Sequence, residues 1–316
     1  MEKSIKVAFL SFGGIGEFVL HLDAIRNYSR YFSEFSITII ASEEKLELGR
    51  ILASEGHSFK WLSVKPNLEN LVNQYDSVIV LRWFSEVFSK FEILDFVPKP
   101  ELYEQFKAAR SAQHKALRQF YDDGFHLRDI ILKSSGMEYS SEIEPFLDAL
   151  DNQEGYCLVS NDCDAAPSQS QTKQMPESMW SQLIGQLNDQ NILTLETGLR
   201  GKGAKSHPRY VNKIGQTTIT EWCEMISNAK LIVSIEGGMA HIAAFLNKRA
   251  LVICGPTDSQ AYGYPIHEYI ASPFCTPCHW VTDTWFEICT LDNSRACMYS
   301  HNIDTIAAQV SEEFHG

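Results

Sequence analysis

The sequence predicts an α/β protein built as two domains, each around a parallel sheet. Three observations carry that prediction. Short, continuous apolar runs of strand length recur along the chain, which is the pattern of strands buried on both faces. Two of these runs end in glycines and pass directly into helically spaced segments, "FLSFGGIGEFVLHLDAI" (9–25) and "LIVSIEGGMAHIAAFL" (231–246). Strand, glycine turn and helix in that order open a βαβ unit. Finally, residues 136–170 hold eight carboxylates and no Lys or Arg. This shift in composition places a boundary near residue 150 and gives domains 1–150 and 151–316, the division expected of a 316-residue chain at ~100–200 residues per domain.

In chain order, residues 5–12 read as a buried strand and 18–31 as a helix. "SITIIA" (36–41) and "SVIVLRW" (77–83) are further strands. Residues 100–146 read as mainly helical, with Leu102, Phe106, Ala109, Ala116, Leu117 and Phe120 at helical spacing. Lys107, Arg110, His114 and Arg118 share another face of that segment. The ordinary reading is a solvated face; the sharper one is a cationic wall for an anionic acceptor. In the second half, 156–160, 191–196, 230–235 and 250–255 are strands, 239–246 is a helix, and "NIDTIAAQVSEEF" (302–314) is a closing helix capped by Asn302 or Asp304.

Composition narrows the partners. A formal net charge of −13 argues against nucleic acid, whose phosphates need Lys/Arg surfaces. The short apolar run near the N-terminus follows no basic cluster, so it is not read as a secretion signal. No run approaches the ~18 apolar residues of a membrane span. The expectation is a cytoplasmic protein with at most peripheral membrane contact. Its eight Cys are then thiols or metal ligands rather than disulfides.

The two glycine turns are the first site candidates. Gly237 and Gly238 lack a Cβ, so their N–H groups can approach a ligand closely. The helix that follows adds a positive dipole end, which makes an anion site suited to a pyrophosphate. Neither turn matches the dinucleotide fingerprint or the P-loop, so a nicotinamide enzyme or a kinase is disfavoured. Glu17, at the first turn, is most simply an acid stabilised by a helix N-terminus. In "TKQMPESMW" (172–180), Pro176 and Glu177 suit a helix start, which puts Lys173 just ahead of it as a point charge for the same phosphate.

"GGIGEFVLHLDAI", "KQMPESMW", "KIGQTTITEWCEMISNAKLIVSIEGGMAHIAAFLNKRALVICGPTD" and a late cysteine cluster occur in one order. That order resembles the heptosyltransferase family, glycosyltransferase family 9, most clearly over 212–258. The resemblance implies a GT-B fold: two Rossmann-like domains facing a central cleft, with a nucleotide-sugar donor, typically ADP-heptose, on the second domain. The acceptor, a glycan, glycolipid or protein, lies on the first. It implies no cofactor for catalysis. Glu17 matches the family's catalytic acid, usually Asp, and would take the acceptor's proton in an inverting displacement. Gly13, Gly14 and Gly16 would leave room for the acceptor, with Lys107 and Arg110 on its side. Lys173, Glu236, Gly237, Gly238, His241 and Thr257 would form the donor site. Glu stands for Asp twice, Gly237 for a hydroxyl residue and Met175 for Trp. The alternative expectation is a non-catalytic nucleotide-sugar-binding protein.

Cys275, Cys278, Cys289 and Cys297 follow C-x2-C-x10-C-x7-C spacing. Four thiols in this arrangement suit a tetrahedral structural Zn or Fe site; the ordinary reading is reduced thiols in an irregular loop. Many members of the family the chain resembles carry a comparable cluster, and the autotransporter heptosyltransferases among them bind iron there.

Overall fold

The computed structural model describes residues 5–31, 35–53, 59–63, 68–82, 85–89, 113–134, 154–163, 172–199, 203, 207–291 and 295–316. The chain divides into two units, Met1–Glu144 and Pro145–Gly316.

In the first unit the apolar run KVAFLS forms β1 (Lys6–Ser11), buried along all but its first residue. After it come α1 (Ile15–Tyr31), β2 (Ser36–Ile40), α2 (Glu43–Leu52), β3 (Lys60–Leu62), α3 (Leu68–Gln74), β4 (Ser77–Leu81) and β5 (Ser85–Ser89). The sheet order is β3-β2-β1-β4-β5. All neighbours pair in parallel except β5, which runs antiparallel to β4. Helix α1 packs Phe18, Leu22, Ile25 and Tyr28 into the core, with Tyr28 stacked on Phe9 at 5.5 Å between ring centroids. The part of the expected helical region that is described holds α4 (Gln113–Asp122) and α5 (Leu127–Lys133). Helix α5 is locked to α1 by a buried ion cluster. Asp23 accepts from Arg26 at 2.7 Å and from Arg128 at 2.5 Å, so one buried carboxylate serves two guanidiniums.

In the second unit, β6 (Glu154–Ser160), α6 (Glu177–Asp189), β7 (Leu193–Glu196), β8 (Tyr210–Asn212), α7 (Ile219–Asn228), β9 (Ala229–Ile235), α8 (Gly238–Phe245), β10 (Ala250–Ile253), α9 (Ser259–Tyr262), β11 (Glu268–Ile270), α10 (Ala296–Tyr299) and α11 (Ile303–His315) follow one another. The sheet runs β11-β10-β9-β6-β7-β8, parallel throughout. Numbered within the unit, this is the Rossmann order 3-2-1-4-5-6. The core joins β6, β9 and β10 to Trp180, Leu183 and Leu187 of α6 and to Ile306, Val310 and Phe314 of α11.

The α/β expectation holds, and the long apolar strands fall where the sequence put them. Three details shift. The strand expected at 250–255 stops at Ile253, the helix expected at 239–246 begins at Gly238, and Asn302, not Asp304, caps the closing helix by accepting from Thr305 N–H. A short polar residue before the first turn, free of helical φ/ψ, is better placed to cap than one inside it.

Candidate functional site

Open parallel sheets bind ligands beyond the carboxyl ends of their strands, where the strand order reverses. In the second unit that point lies between β6 and β9. Three candidate side chains gather around it. Glu236 follows β9 and is buried, and its N–H donates to Ile253 O at 3.2 Å. Lys173 Nζ donates to Glu236 Oε2 at 2.6 Å. His241, in the first turn of α8, faces Glu236 Oε1 through Nε2 at 3.6 Å. Its Nδ1 lies 2.5 Å from Tyr264 Oη. In the neutral ring the carboxylate can only accept, so Nε2 carries the proton and Nδ1 accepts from the tyrosine. Burial alone would push the Glu236 carboxyl up; the Lys173 ammonium, with His241 beside it, outweighs that and holds it well below the usual carboxylate range.

Lys173 is placed by its loop. Asn161, just past β6, accepts from Met175 N–H at 2.9 Å and donates to Met175 O at 2.8 Å. Thr172 Oγ1 donates to the carbonyls of Trp285 and Phe286 at 3.1 and 3.0 Å. The Lys173 ammonium sits over the rings of Tyr262 and Trp285, 5.3 and 5.4 Å from their centroids. Gly237 packs against Cys163: a Cβ there would lie 3.2 Å from the cysteine Cβ, so the backbone reaches a place no larger residue reaches comfortably. Gly238 is the first residue of α8. Thr257 is buried, and its Oγ1 has no hydrogen-bond partner.

The first unit brings together a second group at its own reversal point, between β1 and β4. Gly13 has φ +95°, and a Cβ there would collide with the Glu17 carboxylate. That carboxylate folds back to accept from Gly14 N–H at 2.8 Å, as an acid in a first helical turn does when it caps its own helix. A Cβ on Gly14 would meet nothing within 4 Å, so the turn is open on that side. Gly16 lies in the first turn of α1.

Sequence reasoning missed two neighbours of this group. His21, one turn along α1 from Glu17, is fully buried. Its Nε2 donates to Arg82 O and its Nδ1 accepts from Ser11 Oγ, each at 2.7 Å, tying the end of β1 to the end of β4. Burial pushes the imidazole down to about 3. Lys45, on α2, is buried, and burial draws its ammonium down against the opposing charges of Glu17 and Glu44. Neither residue carries a spacing signal. The aromatic wall around Lys173 was signalled only by the density of rings in residues 262–286.

Lys107 and Arg110 lie outside the described residues. Arg118, on their expected face, pairs with Asp122 at 3.0 Å within its own helix. Of the cysteines, Cys297 is buried, and its thiol is pushed up to about 12 by burial first and then by the nearby Cys275, Cys278 and Cys289. The four are electrostatic neighbours. Among the described residues, however, no group of three or more His, Cys, Asp or Glu is arranged to hold a metal ion. Also among the described residues, no helix is long and apolar enough to cross a membrane.

Comparison with known proteins places these groups in context. The family model described as Glycosyltransferase family 9 (heptosyltransferase) matches residues 56–272. Lipopolysaccharide heptosyltransferase 1 of Escherichia coli (strain K12) is 30% identical over 97 residues, 29% of this chain. The corresponding enzyme of Salmonella typhimurium is 28% identical over 97 residues. The chain spans about 30% of the length of the curated relatives it matches. Among solved structures, E. coli heptosyltransferase WaaC with ADP aligns over 98% of this chain and 100% of its own, with a TM-score of 0.59 and 13% identity. The iron-containing dodecameric glycosyltransferase TibC of enterotoxigenic E. coli H10407 aligns over 100% of this chain and 77% of its own, with a TM-score of 0.68 and 10% identity. At such identities the structural likeness speaks for the shared GT-B fold alone.

Proposed function

The chain belongs to glycosyltransferase family 9, the heptosyltransferase family, and from that premise we propose that it transfers a sugar, with inversion, from a nucleotide-sugar donor to an acceptor hydroxyl. The donor we propose is ADP-heptose, bound to the unit Pro145–Gly316. The acceptor is a glycan, glycolipid or protein hydroxyl on the unit Met1–Glu144.

The observation that carries this reading is the Lys173–Glu236–His241 group at the strand-order reversal. A lysine at the mouth of a parallel sheet, beside the start of α8, supplies the positive charge a leaving diphosphate needs. Glu236 keeps Lys173 charged and aimed, and His241, braced by Tyr264, steadies Glu236. Thr257 Oγ1, buried without a partner, is a hydroxyl for a phosphate or sugar oxygen. Across the reaction, Glu17 removes the acceptor proton as that oxygen attacks the anomeric carbon. The C–O bond to the diphosphate breaks, and Lys173 stabilises the departing charge. A positioned base of this kind contributes ~10²–10⁴-fold. With Lys173 and the N-terminus of α8 to stabilise the departing charge, catalysis on this reading needs no divalent metal. We further propose that Cys275, Cys278, Cys289 and Cys297 close around a structural Zn or Fe ion. Stoichiometric metal in the purified protein would support this, and its absence would end it.

The test of the main reading is a transfer assay with ADP-heptose and a panel of lipopolysaccharide-core and hydroxyl acceptors, with the anomeric configuration of the product read by NMR. Inverted product supports the proposal. Retained configuration contradicts the displacement mechanism. Donor binding with neither transfer nor hydrolysis favours the non-catalytic reading, to which the Glu17–Gly14 cap lends its one specific support.

A further inference from the structure

We propose that the cysteine-rich segment is a wall of the donor site and that Trp285 is the positioning residue that holds Lys173 in place for a nucleoside diphosphate. This rests on the donor reading of Lys173 given above.

Four observations converge. Trp285 is buried in a segment without regular secondary structure, where an indole stays put only if something anchors it. Its anchor is the Lys173 loop itself. Thr172, adjacent to the lysine, is buried and donates its hydroxyl to the carbonyls of Trp285 and Phe286, and Thr172 N–H donates to Phe286 O at 3.3 Å. The indole returns the contact, its centroid 5.4 Å from Lys173 Nζ, with the Tyr262 ring on the same ammonium at 5.3 Å. Rings of this kind attract an ammonium through their π faces and exclude water from it. Finally, the same segment is stitched to the turn that follows β10. Cys278 N–H and His279 N–H both donate to Pro256 O, at 2.9 and 3.0 Å, next to the unpartnered hydroxyl of Thr257.

A lysine side chain has many rotamers, and fixing them costs conformational entropy. Glu236 holds the ammonium at one point; the two rings remove the remaining freedom. An incoming diphosphate therefore meets a charge already in position, and affinity gains from the pre-organisation. The segment from Cys275 to Cys289 thus acts on the donor through Trp285 and Thr172.

The experiment measures ADP binding by calorimetry to the full chain and to Trp285→Leu, Trp285→Phe, Lys173→Met and the Trp285→Leu/Lys173→Met double variant. Trp285→Leu is expected to weaken ADP at least tenfold, while Trp285→Phe, which keeps a ring, stays within threefold of wild type. In the Lys173→Met background the same Trp285→Leu change is expected to cost less than twofold, because the lysine it positions is gone. Equal losses in the two backgrounds would overturn the inference, as would a Trp285→Leu variant that binds ADP like wild type. If the double variant does not fold, the contrast between Phe and Leu decides alone, and equal loss in both overturns the inference. Wild-type protein that binds no ADP would overturn the donor reading and this inference together. Binding with additive losses overturns only this one.

Discussion

At the scale of the residue, two acids of the same type are put to different uses by their surroundings. Glu17 is half-buried, its carboxylate accepts from the Gly14 N–H, and its charge faces the Lys45 ammonium. Glu236 is buried between Lys173 and His241 and is held ionised. Glu236→Gln is therefore expected to destabilise the protein by about 1–3 kcal/mol. This is less than the loss at a fully enclosed pair, because Lys173 keeps some contact with water. Urea unfolding checks it. The Glu236 carboxyl lies below its ordinary value of 4.5, so its contribution is present above that pH and is lost on acidification below it. His21 acts in the same direction for the opposite reason. The unfolded chain takes up a proton on this ring below 6.5, and the folded protein does not do so until about 3. Over that window the ring removes about 1.4 kcal/mol of stability per pH unit as the pH falls. Unfolding of His21→Gln, compared with wild type between these limits, should show a shallower slope by close to one proton; equal slopes would contradict the buried neutral imidazole.

Elements are where sequence reading succeeds and where it stops. The strands β1, β2, β4, β6, β9 and β10 are legible because burial on both faces forces an unbroken apolar run. β3 and β8 are three residues long and lie at sheet edges, too short to write a period into the sequence. β5 runs antiparallel at the other edge of its sheet, a pairing that nothing in its own five residues announces. The glycine turns are legible as turns, and the structure adds that a Cβ at Gly237 would press on Cys163 at 3.2 Å, a tight contact that glycine avoids. The loop that carries Lys173 is fixed by Asn161, whose side chain closes a two-bond ring with the Met175 backbone. Asn161→Ala leaves both backbone groups to find new partners. It is expected to cost about 1–2 kcal/mol of stability and about tenfold in ADP affinity, as the lysine's loop loosens. Thermal unfolding and ADP titration check the two effects separately.

For the whole molecule, the consequence of two Rossmann-like units is that each presents one reversal point with one acid-bearing turn: Glu17 after β1, Glu236 after β9. Their surroundings differ: Glu236 meets Lys173 and an aromatic wall brought from distant sequence, residues 172–173 and 262–285, whereas the charge of Glu17 faces Lys45 of α2. This is why the group around Lys173 and Glu236 was only partly legible. Glu236, Gly237, Gly238 and His241 sit in one run, whereas Tyr262, Tyr264 and Trp285 join them only through the fold. Saturating ADP, at about a hundred times its dissociation constant, should stabilise the folded protein by about 2.7 kcal/mol. Hydrogen exchange should slow at 160–163, 172–176, 236–241 and 255–258 and stay unchanged at 13–17. Protection at 13–17 without protection at 236–241 would assign the nucleotide to the wrong unit.

The proposed glycosyl transfer runs through Glu17 as its base. Glu17→Gln keeps the length and the capping acceptor of the side chain but removes its basicity. Single-turnover transfer from ADP-heptose, measured beside ADP affinity, is predicted to fall by ~10²–10⁴-fold with affinity unchanged within twofold. A Gln variant that transfers at the wild-type rate would contradict the account.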